Sequence, residues 1–171
     1  MGVRTPLSGT IHDLQARLGS IRMAVTAVAG LDLDADTRNE MLTSASDESL
    51  RASAELAGVG ALAACLLDGS AAEDCDVANA LRAAADTARI AGLEVDLTIT
   101  DEARLRMPRP KLEAALSPLL RIVAGAGKNV RVTLVGNHIA VNGDDTEKPP
   151  ALARLLADQL APLVITLGEE A

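Results

Sequence analysis

The large aliphatic residues at the start of the chain fall at Ile11, Leu14, Leu18, Ile21, Val25 and Val28, spaced three, four, three, four and three apart. That alternation lays them on one seam with coiled-coil-like periodicity and predicts an amphipathic helix from near Pro6–Gly9 to Gly30. Leu31 to Asp36 is a short acidic connection, and Asp36 or Thr37 is the expected cap of a second helix, with Glu40 at capping-box distance from Thr37. This second helix runs to about Leu67, with Met41, Leu42, Leu50, Leu56, Val59, Leu62, Ala63 and Leu66 as its buried side. Two long helices joined by a tight link predict an antiparallel hairpin. One hairpin has a wide apolar face and little to cover it, so a dimer that completes a four-helix bundle is expected.

After Asp68 the pattern changes. The polar run Asp68 to Asp76 marks the best boundary, which divides the chain into a hairpin (1–68), a linker (69–76) and a second unit (77–171). Val77 to Ala91 is an Ala-rich helix stopped by Gly92; Glu94 to Thr100 alternates as a strand does, and Arg104 to Met107 is a second strand suited to pair with it. Pro110 to Ala124 is a helix closed by Gly125-Ala126-Gly127, and Asn129–Val135 with His138–Val141 form a hairpin turned at Gly136-Asn137. A loop from Asn142 to Pro150, a helix from Ala151 to Leu160 and a strand from Leu163 to Leu167 finish the pattern. The fold class is therefore α+β, a helical hairpin followed by a small sandwich with helices on one face of a mixed sheet.

Composition narrows what such a fold does. Among 171 residues there is no Phe, Tyr or Trp, which removes base-stacking platforms, quaternary-amine cages and stacking clamps for a flat cofactor. A net charge of −8 opposes the basic stripe that a phosphate backbone requires, so no nucleic-acid partner is expected. Cys65 and Cys75 stand without a CxxC or paired-His spacing and read as two small residues of a reduced protein, with no metal site. Met1 to Gly9 lacks a secretory pattern, and the most apolar stretch, Leu56 to Leu67, is about half a membrane span. A soluble, cytoplasmic chain with no membrane partner is expected.

Only two histidines are present. His138, near the Gly136 turn and without a local acidic or nucleophilic companion, reads as a surface strand residue. His12 sits about 100° off the apolar seam, on a face shared with Ala16, Gly19 and Met23 and with Ser20 nearby. A face kept small for several turns leaves room for another protein to reach the imidazole. Asp13 is placed to hydrogen-bond one ring nitrogen and raise the nucleophilicity of the other. On these residues alone, a solvated helix histidine with an ordinary acidic neighbour remains an open alternative.

The run His12-Asp13-Leu14-Gln15-Ala16-Arg17-Leu18-Gly19-Ser20-Ile21 resembles the H-box of bacterial two-component histidine kinases. The order of the remaining elements is similar to a kinase helical hairpin followed by its ATPase domain. The nucleotide half departs from that pattern. Leu112 to Ala124 carries Pro118 and Ile122 where the family has asparagines for magnesium and phosphate; Asn142-Gly143-Asp144-Asp145 stands at the adenine motif, and Thr146 to Pro150 replaces a glycine-rich lid. With Asn39 to Leu56 as the second helix, the whole resembles the ChpT-type histidine phosphotransferases, dimeric relay proteins with a degenerate ATPase-like domain. Arg17 stands where that family often has proline.

The resemblance implies a relay. His12 would take a phosphoryl group from the aspartate of one receiver domain, that of a hybrid histidine kinase, and pass it to the aspartate of a response regulator, with Asp13 orienting or deprotonating the imidazole. Gln15, Ala16, Gly19, Ser20 and Met23 would contact the receiver, which would supply its own magnesium, so this chain would hold no cofactor and bind no ATP. Ala16, where bifunctional kinases have Thr or Asn, implies weak phosphatase action. Three alternatives stay open: a scaffold that binds response regulators without being phosphorylated, a divergent active kinase, and a purely structural helical-hairpin dimer.

Overall fold

Residues 4–67 form two long helices because nothing breaks them except the four-residue link. The computed structural model describes residues 4–101, 103–125, 127–144 and 150–168, with side-chain surroundings from Leu7 onward. Helix α1 (Arg4–Gly30) and helix α2 (Ala35–Leu67) pack against each other across Leu31–Asp34. The cap of α2 is Asp34, not Asp36 or Thr37: its carboxylate accepts from the Thr37 backbone N–H at 2.8 Å and from the Thr37 hydroxyl at 2.7 Å. Asp34 has the extended backbone an N-cap needs, which leaves Asp36 inside the first turn, where its charge favours the positive end of the helix.

The aliphatic seam of α1 divides between two surfaces. Leu7, Leu14, Ile21 and Val28 are half-buried toward α2, whereas Ile11, Leu18 and Val25 are 51%, 59% and 52% exposed. A three-four alternation covers two lines on a helix of 3.6 residues per turn, and α2 meets one of them. On α2 the expected large side chains Leu42, Leu50, Leu56 and Leu66 are exposed too, and so is Ala63. Its buried line is instead made of small residues: Ala45, Ala52, Ala54, Gly58, Ala61 and Cys65, with Leu62. The reason is close approach, since the second part of α2 lies against two helices of the sheet layer.

Those helices belong to the remaining elements: β1 (Glu73–Asp76), α3 (Val77–Ile90), β2 (Glu94–Ile99), β3 (Arg104–Met107), α4 (Arg109–Ala124), β4 (Asn129–Val135), β5 (His138–Gly143), α5 (Ala151–Asp158) and β6 (Val164–Leu167). A mixed sheet runs in the order β2-β4-β5-β6, with β2 parallel to β4, β4 antiparallel to β5 and β5 parallel to β6. β3 does not pair with β2. It forms a separate ribbon with β1, a strand inside the stretch expected to be a linker. The register explains the choice: β2 brings Val95, Leu97 and Ile99 opposite Val130, Val132 and Leu134 of β4, so one apolar face is continuous, whereas β3 contributes only Met107 as a fully buried side chain.

The core between sheet and helices is entirely aliphatic apart from sulfur. Leu81 of α3, Leu112, Leu116, Leu119 and Leu120 of α4, and Leu152 and Leu156 of α5 face Val132, Leu134, Ile139 and Val141, all at most 2% exposed. Each such leucine contributes about 1.5–3 kcal/mol relative to an exposed one. Leu62 and Cys65 of α2 join the same cluster through α4, and Gly58 makes that possible. A Cβ there would run into Ile122 Cδ1 and come within 2.9 Å of Leu152 Cδ2. By length and composition alone α2 is also apolar enough to cross a membrane, although a third of that window is buried within the fold.

Candidate functional site

Helix α1 carries His12 on the side turned away from the rest of the fold. Two positions earlier, Thr10 is buried, and Leu7 packs on the main core. Two residues correspond to about 200° of helix rotation, so the imidazole projects on the side nearly opposite to the buried Thr10. The side chains of His12 and Asp13 are 82% and 66% exposed, with His12 Nδ1 3.6 Å from Asp13 Oδ1. That separation is longer than a hydrogen bond and within ion-pair range.

The neighbours expected to form a docking face share this exposure in most cases. Gln15, Ala16, Ser20 and Met23 are exposed, Met23 at 71%; Gly19 is half-buried, yet a Cβ there would meet nothing within 4 Å. The Ser20 hydroxyl donates to the Ala16 carbonyl at 3.2 Å, so it is turned back onto its own helix. The exposed line Ile11, Leu18 and Val25 borders this face. The structure therefore brings the residues read from the sequence onto one open, mostly small surface, with an apolar stripe beside it.

Sequence reasoning missed a charged cluster between the two helices. Arg17 Nη1 lies 2.6 Å from Glu48 Oε2 and Arg17 Nη2 3.3 Å from Glu55 Oε1, while Arg51 pairs with the other oxygen of Glu48 at 3.3 Å. Burial works against the Arg17 charge but is outweighed by the two glutamates, so its proton is held more tightly than usual. At Glu55 burial wins over Arg17, with Asp13 and Glu48 adding repulsion, and the carboxyl is pushed above the usual glutamate range. Arg17 Nε and Glu55 Oε2 are buried without a hydrogen-bond partner among the described residues. The signal was present as Glu48 and Glu55 seven apart, facing an arginine set between Leu14 and Ile21.

Three other titratable groups have partners within the fold. His138 Nε2 lies 2.7 Å from Thr166 Oγ1 across the sheet. Cys65 and Cys75 are buried free thiols whose Sγ atoms donate to the carbonyls of Lys111 and Met107, and burial pushes both thiols up. No group of three His, Cys, Asp or Glu side chains of metal-binding size occurs among the described residues. A groove of about 560 Å³ opens between the β1–β3 ribbon, α3 and α4, lined in part by Asp74, Asn79, Arg104, Arg109 and Glu113. Where the sequence departs from the kinase pattern, Pro118 lies within α4, Ile122 is buried against Gly58, and Gly143 sits directly on the Val123 carbonyl. Of the replaced lid, Thr146 to Lys148 and Pro149 lie outside the described residues. No protein-family model matches the chain, and no curated protein matches it.

Proposed function

We propose that the chain is a histidine phosphotransferase of a bacterial two-component phosphorelay, similar in design to the ChpT-type proteins, in which His12 carries a phosphoryl group between the aspartates of two receiver domains. The observation that supports this most is the placement of His12: the imidazole is 82% exposed on a long helix, on the side away from the sandwich, amid small residues. Transfer between carriers needs in-line approach and charge neutralisation more than a large set of catalytic groups. In this reading a ring nitrogen of His12 attacks the aspartyl phosphorus, the aspartate leaves as carboxylate, and the acceptor's aspartate later attacks the phosphohistidine. Asp13 orients the ring, and the receiver brings the magnesium.

The exposed stripe Ile11, Leu18 and Val25, with Leu42 and Leu56 on α2, is the face on which a second copy would complete a four-helix bundle. The sandwich serves as a degenerate ATPase-like domain that binds no nucleotide: α2 presses on α4 and α5 at Gly58, and Gly143 closes on α4. The protein would work in the cytoplasm, where its receiver partners reside.

Incubation with a phosphorylated receiver tests the assignment. Label is expected on the wild-type chain and on His138→Ala, and none on His12→Ala. Label persisting on His12→Ala would sink the reading, and receiver binding without any labelling would select the scaffold alternative.

A further inference from the structure

The two aliphatic lines of α1 are equivalent in content. Leu14, Ile21 and Val28, toward α2, are one Leu, one Ile and one Val; so are Leu18, Ile11 and Val25, on the exposed stripe. Members of the two lines are three or four residues apart, about 40–60° around the helix. Past Leu7, the α1 side chain that packs on the main core, a rotation of that size would exchange one line for the other with no loss of aliphatic packing. The α2 side offers little steric discrimination, because Ala45 and Ala52 are small. Beyond the first turns, where Leu7 packs on the core and Thr10 is buried, apolar pattern alone therefore leaves the rotation of α1 nearly undetermined.

Arg17 decides between them. In the observed rotation its two terminal nitrogens reach Glu48 and Glu55, two carboxylates seven residues apart on α2 with side chains 24% and 16% exposed. Turned by one line, Arg17 would face solvent and leave Glu55 half-buried without a cation. Stranding one member of a buried ion pair costs far more than replacing the whole set by apolar groups. A polar residue in an otherwise apolar helix interface is a well-attested way of selecting one helix arrangement over another.

We infer that Arg17, clamped by Glu48 and Glu55, is a positioning residue that selects which aliphatic line of α1 faces α2 and thereby fixes where His12 projects. The same rotation would carry His12, together with the small face of Ala16, Gly19 and Met23, about the axis of α1 by about 5 Å relative to α2 and the sandwich. The functional part of this inference rests on the relay proposed above; the structural part does not.

Spin labels at Thr26→Cys on α1 and Thr43→Cys on α2, both exposed positions, read the rotation in full-length protein diluted with unlabelled chain; the buried native thiols stay unlabelled. One distance population is expected in the wild type. The all-apolar variant R17M/E48L/E55L is expected to show a second population displaced by up to about 5 Å, with thermal stability kept or raised, and the charge-reversed variant R17E/E48R/E55R to return to one. In unlabelled versions, transfer from a phosphorylated receiver should fall about tenfold in the apolar variant and recover on charge reversal. A single wild-type distance in the apolar variant overturns the inference, as does a charge-reversed chain that stays displaced. If the wild type takes no phosphate at all, the relay reading fails while the distances still decide the clamp.

Discussion

The sandwich and the helix pair treat their large aliphatics in opposite ways. Leu116, Leu119, Leu120 and Ile139 of the sandwich are at most 1% exposed, whereas Ile11, Leu18, Leu42 and Leu56 of the helix pair are 45% exposed or more. Both regions come from one composition with no aromatic residue. The difference teaches that the core of the sandwich is finished within one chain, since Val132, Leu134, Ile139 and Val141 on its central strands are fully buried. The helix pair has an uncovered side, and an exposed apolar stripe of this kind marks a surface that something else meets.

Leu116→Ala should give the largest effect on this contrast, a loss of about 2–5 kcal/mol in denaturant unfolding, because a closed core cannot collapse around the missing atoms. Leu18→Ala should cost a fraction of that in the monomer. Next is association: Leu18→Glu is expected to halve the mass measured by sedimentation while circular dichroism holds its shape, and an unchanged mass would place the dimer on another face. At the seam between the regions, Gly58→Leu should cost about 1–3 kcal/mol, since the new side chain meets Ile122 and Leu152 head-on.

The smallest effect concerns pH. Burial keeps the Glu55 proton on beyond the usual glutamate range, so the folded chain binds that proton more tightly than the unfolded chain. The contribution is fully present below the unfolded value and is lost as pH rises through the folded one. Melting curves between about pH 4 and pH 7 should therefore shift in favour of Glu55→Gln, relative to wild type, as pH increases.

The elements themselves were largely legible. The start of α3, the Gly92 stop, the β4–β5 hairpin at Gly136 and both ends of α4 follow from periodicity and turn chemistry within about one residue. His12 was legible as an outward residue because its offset from Ile11 is a matter of helix geometry alone. Partner choice was not. Whether β3 lies beside β2 or β1 depends on which faces become continuous once β4 arrives from thirty residues away, and β4 outcompetes a four-residue strand with one buried side chain. The division of the α1 seam was hidden for a similar reason: the two lines are chemically the same, and only Glu48 and Glu55, on another helix, tell them apart. Asp34 lost to Asp36 in the reading because capping preference does not distinguish acids two positions apart when Thr37 is within reach of the first.

The aliphatic core has an optical consequence. Without Trp, Tyr or Phe the protein has almost no near-ultraviolet absorbance and no intrinsic emission. In any complex it forms, every aromatic signal belongs to the partner. A receiver domain docking at His12 would report its own environment against a dark background, and a lone tryptophan placed at Leu119 would be the sole internal emitter, lit or quenched by the packing of α4 alone.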